Sequence, residues 1–494
     1  MLVSKAYGDT SMDIPQIRKL KPKLKKFLKR FDGCFPRKDT RAHLPIYVSG
    51  QLSDIPEKSV EPIAINAGVP PRTLQEFLSQ HHWDHDRLRD QLQHIVRDEH
   101  AGPHPIGIID ETSDVKKGEK TPGVQRQWCG SVGKKENCLV TVHLGYARDG
   151  FHCLLDGELY LPQSWSEDRA RCREAGIPDD MTYRPKWRIA LELYDRAIEN
   201  GLHFDWMTFD EGYGSKPDFL RGLSARNQRF VGEVPRSFTG WLKPPRVITR
   251  PFHKNGRGRG RKVPRLASGS PSARRVEELL EQRAFVDQPW QRWRVKDGQK
   301  GPMIWEIKHA LFTPKGEDGL PGEPMHLVVA RNVLDLDEVK FFVSNAPPET
   351  AVAKLLLVAF SRWRVERCFE DQKSEIGLDQ YEGRRYQGLK RHLILSCLSS
   401  LFLARMRGEF GGGKSGVDRV PGAHGDRGDD PVLVAGPTPV GEAVGTNGGG
   451  DRSDTEEKCG GPQEPHQGDA KEAARIRHQA HRGAPLHLGK DLAL

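Results

Sequence analysis

Apolar residues recur at helical spacing along the first hundred positions and at strand spacing after that. From Ile17 to Phe31, Leu20, Leu24, Leu28 and Phe31 repeat every three or four residues among lysines, which predicts an amphipathic helix. Ser59 to Asn66 and Pro71 to Ser79 predict two short helices separated by Gly68. Their shared apolar side is Val60, Ile63, Ala64, Leu74, Phe77 and Leu78. Leu88, Leu92, Ile95 and Val96 predict a further amphipathic helix. Residues 1–99 are therefore expected to form a helical domain. The helix–glycine–helix pair is compatible with a helix-turn-helix, whose second helix enters the major groove of DNA. Arg72, Thr73 and Gln75 would then meet the DNA, although an ordinary helical hairpin fits the same pattern.

The pattern changes at Pro105. Ile106-Gly-Ile-Ile109 predicts a short buried strand ending at Asp110. Asn137 to Tyr146 and Gly150 to Tyr160 predict two strands joined by the turn Arg148-Asp149-Gly150. Lys186 to Asn200 predicts a helix stopped by Gly201. A strand at Phe204 to Phe209 then ends at Asp210, followed by a helix at 217–227 and a strand at 229–234. The order β-β-β-α-β-α-β over 100–236 matches a ribonuclease-H-like α/β core. Residues 237–348 predict a mostly β insertion, with strands at 290–295, 303–312, 326–331 and 339–344. Residues 349–407 predict the helical remainder of the core.

After Gly408 the composition turns to Gly, Pro and Asp with few aromatics. Such a segment cannot bury enough apolar surface to offset chain entropy, so residues 408–494 are expected to be a disordered tail. The break falls inside an apolar helical pattern at Leu401-Phe-Leu-Ala-Arg-Met. One hypothesis is a shifted reading frame; translating the other frames of the gene tests it, and no basic helical continuation there would end it.

At 494 residues the chain is long enough for two or three domains. Its formal charge of +10 and pI near 9.1 favour nucleic acid or an anionic surface as partner. No apolar run is long enough to span a bilayer and no signal peptide is evident, so a cytoplasmic protein without a membrane partner is expected. The eight cysteines are scattered without a CxxC pair, which argues against a metal finger and a disulfide framework.

Candidate chemistry lies in the acids at strand ends and in one helix. Moving a phosphoryl group needs an activated nucleophile and a stabilised leaving oxygen, and two divalent metals roughly 4 Å apart serve both. Asp110 and Asp210 suit such a site if their strands are neighbours. Glu366, on a helix with Val365, Phe369 and Ile376 facing the sheet, would complete it. Arg362 precedes Glu366 by four residues and Lys373 follows it by seven, placing all three on one stripe. The two cations would grip phosphates on either side of the cleavage point. A surface helix with an Arg362–Glu366 ion pair fits the same spacing, and Glu370 and Asp371 are competing acids. Lys117, Lys120 and Arg126, after the first acid, could hold the strand being cut. Arg257, Arg259 and Arg261 in Gly256-Arg-Gly-Arg-Gly-Arg-Lys262 could track a phosphate backbone.

Several longer motifs run through the same residues: Asp110-Glu-Thr-Ser, Lys117-Gly118, Gly123-Val-Gln-Arg126-Gln, Thr208-Phe-Asp210-Glu-Gly-Tyr213-Gly214, and Arg362-Trp-Arg-Val-Glu366 through Lys373 to Tyr381-Glu. In their order and separation the chain resembles an insertion-sequence DDE transposase of the superfamily with a Tyr-x2-Arg-x3-Glu-x6-Lys signature, most closely the insertion-sequence family 701. The resemblance covers about Phe35 to Arg407. It implies that Asp110, Asp210 and Glu366 bind Mg²⁺ (or Mn²⁺) and catalyse cutting of element-end DNA and its joining to target DNA. It also implies DNA-binding roles for Arg362 and Lys373, and a homodimer in the DNA complex at the nucleoid. The Tyr place falls on Ala359, a departure, and Phe360 beside it has no hydroxyl. A stacking tryptophan in the β insertion is a further implication, with Trp290, Trp293 and Trp305 as candidates and Trp305 the selected one. Two rival readings stay open: a decayed transposase that binds DNA without cutting, and a metal nuclease without joining activity.

Overall fold

The computed structural model describes residues 14–249, 263–298 and 301–410, with side chains described from 19 to 249, 263 to 295 and 303 to 409. The helices are α1 (Ile14–Leu28), α2 (Lys38–Gln51), α3 (Val60–Asn66), α4 (Pro71–Ser79), α5 (His85–His100), α6 (Gln163–Glu167), α7 (Arg169–Ala175), α8 (Lys186–Glu199), α9 (Glu211–Gly214), α10 (Pro217–Ala225), α11 (Val276–Leu279), α12 (Arg283–Val286), α13 (Val352–Ala359), α14 (Trp363–Asp371) and α15 (Tyr386–Phe410). The longer strands are β1 (Ile106–Val115), β2 (Gln125–Cys129), β3 (Lys134–Arg148), β4 (Phe151–Leu159), β5 (Trp206–Phe209) and β6 (Phe230–Val234). Short strands follow, β7 (Thr239–Trp241), β8 (Val247–Ile248), β9 (Arg265–Leu266) and β10 (Arg274–Arg275), then β11 (Gln291–Gly298), β12 (Gly301–Pro314), β13 (Met325–Asn332) and β14 (Val339–Ser344).

Most of these strands join one large mixed sheet, so the fold is mixed α/β. Its path runs β10-β7-β12-β13-β14-β6-β5-β1-β3-β2, with β4 paired to β3 and β11 to β12. β1 pairs antiparallel with β3 and parallel with β5, and β5 pairs parallel with β6. The strands of the expected β insertion continue this same sheet, because β14 pairs with β6.

Three local outcomes differ from the sequence reading. β1 does not end at Asp110 but pairs with β3 as far as Val115. The second half, Glu111-Thr-Ser-Asp-Val, is polar, so hydrophobicity gives no sign of it, yet Thr112, Ser113 and Asp114 are buried. β2 is an unforeseen strand because its sequence, Gln-Arg-Gln-Trp-Cys, is half polar. Helix α2 is unforeseen too, since Pro45 lies inside it and its buried residues include Gly50 and Gln51. The α3–α4 pair does follow the predicted bounds, and Gly68 between them has φ +68°, a left-handed conformation that only glycine adopts freely.

The long helix α15 binds the N-terminal helices to the sheet. Arg391 is 1% exposed and donates to the carbonyls of Phe77, Leu78 and Trp83. Its guanidinium also lies 4.4 Å from the Trp83 ring centroid, so a buried charge is met by three acceptors and an aromatic face. On the sheet side, Tyr386 of α15 donates to the buried Glu158 of β4 at 3.0 Å. The seven described cysteines are all free and buried, as expected for thiols used as small apolar groups. Among the described residues no helix is long and apolar enough to cross a membrane. The glycine-arginine run at 256–262 and the tail from 411 lie outside the described residues.

Candidate active site

β1 and β5 are parallel neighbours, and their last paired residues are Ile109 and Phe209. Asp110 and Asp210 each follow that rung directly. Strand spacing of roughly 4.8 Å therefore places the two acids side by side. The apolar runs before them are what fixes this: Ile108, Ile109, Met207 and Phe209 are all at most 1% exposed.

Each aspartate is held by backbone as well. Asp110 Oδ1 accepts from Glu111 N at 2.8 Å. Asp210 caps α9, with Oδ1 accepting from Gly212 N at 3.0 Å and Tyr213 N at 3.3 Å. Helix α9 is pressed onto β6, since a Cβ on Gly214 would fall 1.9 Å from the Glu233 carbonyl oxygen. Glycine at that position is thus what lets the Asp210 turn close.

Glu366 comes from α14. That helix lies on the sheet face bearing Asp110: a Cβ on Gly145 of β3 would meet Val365 at 3.3 Å, and the Phe369 ring is 5.2 Å from His143. Arg362, in the turn preceding α14, joins two of the acids. Its Nη1 donates to Asp110 Oδ2 at 2.9 Å and its Nη2 lies 2.7 Å from Glu366 Oε1. The predicted Arg362–Glu366 pair is present, and the same arginine also reaches across to the strand acid.

The charges act on one another. Burial pushes the Asp110 carboxyl up to about 7; Arg362 opposes this, while Asp210 and Glu366 reinforce it. Burial alone would lower the Arg362 guanidinium, but Asp110, Glu366, Asp210 and Glu233 together hold it above its usual range. Glu233 is an acid that sequence reading missed; it sits on β6, one strand beyond Asp210, and pairs with Lys340 at 3.0 Å.

Tyr213 was also missed as a site residue, although it lies within the Thr208–Gly214 motif. It is 3% exposed, its hydroxyl is buried without a hydrogen-bond partner, and Glu111, Asp210 and Asp110 surround it electrostatically. An orphaned hydroxyl beside several carboxylates suits a hydrated hard cation, whose water ligands could satisfy it. The donor set, carboxylate oxygens only, is likewise the set Mg²⁺ or Mn²⁺ takes. Among the described residues, no three His, Cys, Asp or Glu side chains converge tightly enough to hold a metal together; the Arg362 guanidinium stands between Asp110 and Glu366.

The remaining predicted residues divide. Lys373 lies on a π-helical turn, Gln372–Ile376, that follows α14. Its Nζ donates to Ser113 O at 3.0 Å and is 3.5 Å from Asp114 Oδ1, further along β1. Lys117 and Lys120 are exposed and line a cleft of about 610 Å³ with Lys116 and Arg384. Lys120 also pairs with Glu174 at 2.7 Å. Arg126 is exposed on β2. Arg257, Arg259 and Arg261 lie outside the described residues. Trp305 is 4% exposed and packs on Phe360 at 5.3 Å between centroids, so its ring is part of the core. Trp290 faces the Arg331 guanidinium at 4.1 Å.

Comparison with known proteins adds three findings. The family described as DDE superfamily endonuclease matches residues 30–302. A curated relative, the probable transposase for insertion sequence element IS701 of Microchaete diplosiphon, is 30% identical over 205 residues, 39% of this chain and 51% of the relative. The chain thus spans about half the length of that relative. Among solved structures, the NurA nuclease from Sulfolobus solfataricus aligns over 56% of this chain and 86% of that chain, with 10% identity and a TM-score of 0.22. A TM-score that low carries no argument about fold or function.

Proposed function

The chain belongs to the DDE superfamily endonucleases, and from that premise we propose that it is a transposase, cutting the DNA at the ends of an insertion element and joining it to target DNA. The observation that carries the reading is the grouping of three acids about Arg362: Asp110 and Asp210, each just past the last rung shared by β1 and β5, and Glu366 from α14. The strand order β4-β3-β1-β5-β6, with β3 alone antiparallel to both its neighbours, supports a ribonuclease-H-like core. The transposase named among the relatives supports the joining step.

With the Arg362 guanidinium withdrawn from between them, Asp110, Asp210 and Glu366 would hold Mg²⁺ or Mn²⁺. A pair of such ions, when bound, supplies an activated water and a Lewis acid for the leaving oxygen. The chain's own contribution is positional. Backbone N–H groups fix Oδ1 of each aspartate, while Arg362 holds Oδ2 of Asp110. Tyr213 offers a hydroxyl to water beside the acids. Arg362, once DNA is bound, turns its guanidinium from carboxylate to phosphate, both of which it can meet with two donors. Lys373 marks where the strand runs on past the acids. DNA enters as an anion attracted by the basic chain, and two copies of the protein would hold the two element ends.

The test is a nicking and strand-transfer assay on element-end DNA with Mg²⁺. Nicked ends followed by joined products are expected. Nicking without joining leaves a nuclease, and tight binding without nicking leaves a decayed copy; either outcome overturns the proposal.

A further inference from the structure

The hairpin of β2 and β3 projects beyond β1, whose pairing with β3 stops at Val115 and Cys138. Near its free end stands Trp128, 59% exposed. Of the chain's ten tryptophans it alone is mostly exposed; the others are buried or half-buried. Tryptophan, with a large apolar face and one N–H donor, is enriched at interfaces, so a mostly exposed one marks a candidate contact.

Its neighbours are cations. Trp128 lies directly opposite Lys135 and Arg126 opposite Asn137 in the antiparallel register, and both Arg126 and Lys135 are exposed. Side chains alternate across a strand, so Arg126, Trp128 and Lys135 share one face, while Lys134 and Glu136 take the other, 3.4 Å apart as an ion pair. The same alternation fixes which face this is. Asp110 pairs with His143, and His143 is an even number of residues from Lys135. The indole therefore stands on the face that bears Asp110 and helix α14. Eight residues of β3 separate His143 from Lys135, roughly 27 Å of extended strand.

An aromatic plane flanked by cations is the arrangement that grips unpaired nucleic acid: a base stacks on the ring and the adjacent phosphates meet the charges. A duplex covers its base faces, so it would use the cations alone. We propose that the β2–β3 hairpin is a contact for unpaired DNA, with Trp128 stacking a base and Arg126 and Lys135 holding the flanking phosphates, several nucleotides from the acids. The proposal rests on the reading of the chain as a DNA-cutting enzyme.

The experiment measures binding of the full-length protein to a labelled oligothymidylate and to a labelled duplex. Trp128→Ala should weaken oligothymidylate binding about tenfold, leave duplex binding within about twofold, and leave the melting temperature unchanged. Trp128→Phe should recover most of the loss. Equal oligothymidylate binding by Trp128→Ala and wild type overturns the hairpin contact, even where wild type binds and cuts duplex. A smaller assembly on size exclusion with unchanged oligothymidylate binding would overturn it too, assigning the indole to a second copy of the chain. Wild type binding neither probe would instead remove the DNA reading beneath it.

Discussion

Arg362 and Asp110 are 252 residues apart in the chain, yet Nη1 of one donates to Oδ2 of the other at 2.9 Å. The second guanidinium nitrogen reaches Glu366, so one side chain bridges an acid from a strand and an acid from a helix. Carboxylates gathered for a cation repel one another when it is absent, and an arginine among them supplies the missing positive charge.

Removing that arginine exposes the repulsion. In Arg362→Gln, metal-free protein should melt at a lower temperature, with a cost on the order of 3 kcal/mol as for a broken buried pair. Mg²⁺ should then raise the melting temperature more in the variant than in wild type, because it no longer competes with a resident guanidinium. Equal Mg²⁺-induced shifts in the two proteins would sink this account.

Asp110→Asn keeps the side-chain volume and removes the ligand charge. Strand cleavage should fall at least about a hundredfold, the scale of losing a positioned electrostatic group, while DNA affinity stays close to wild type because no cation is lost. Gel-based nicking and a binding titration check the two halves separately. Cleavage at wild-type rate would refute the assignment.

His392 predicts a pH dependence of stability. It is 1% exposed, and Nε2 must donate to the Leu378 carbonyl at 3.0 Å, which leaves Nδ1 to accept from Tyr47 at 2.8 Å. Burial pushes its pKa down to about 4, against roughly 6.5 in the unfolded chain. Between those values the unfolded chain binds the extra proton, so this contribution is complete above pH 6.5 and is lost as pH falls toward 4. His392→Gln should destabilise the protein at pH 7, and the gap from wild type should narrow by about 2 kcal/mol at pH 5. Parallel stability curves in urea at the two pH values would contradict it.

Trp305 serves packing. Trp305→Ala should cost about 3–5 kcal/mol, as for a buried aromatic truncated in a core, because it empties the space against Phe360. Trp305→Phe should recover much of that. Normal stability with lost DNA binding would return the ring to a stacking role.

Much of the molecule was legible because burial and periodicity coincide. The strands at 291–298, 301–314, 325–332 and 339–344 carry alternating or continuous apolar runs and fall near their predicted bounds. Asp110 and Asp210 were legible as acids after apolar runs, and parallel pairing of β1 with β5 brings them together, although β1 itself runs on to Val115. The reach of Arg362 was not, because a guanidinium spans several ångströms and periodicity sees only its own helix. The depth of Trp305 was hidden because it depends on Phe360, a residue from another element. Trp128 escaped notice because β2 has too little apolar pattern to announce a strand, and without the strand its ring has no defined direction. Tyr213 and Glu233 escaped because nothing local to either one records its distance from the acids.

The pairing of β14 with β6 has a mechanical consequence. Backbone hydrogen bonds splint the chain between Asp210 and Glu366 into the plate that carries both aspartates. The outermost strands cannot swing away like a hinged arm without stripping those rungs. Lengthening the turns at that far edge would leave the gap between the acids at its original width.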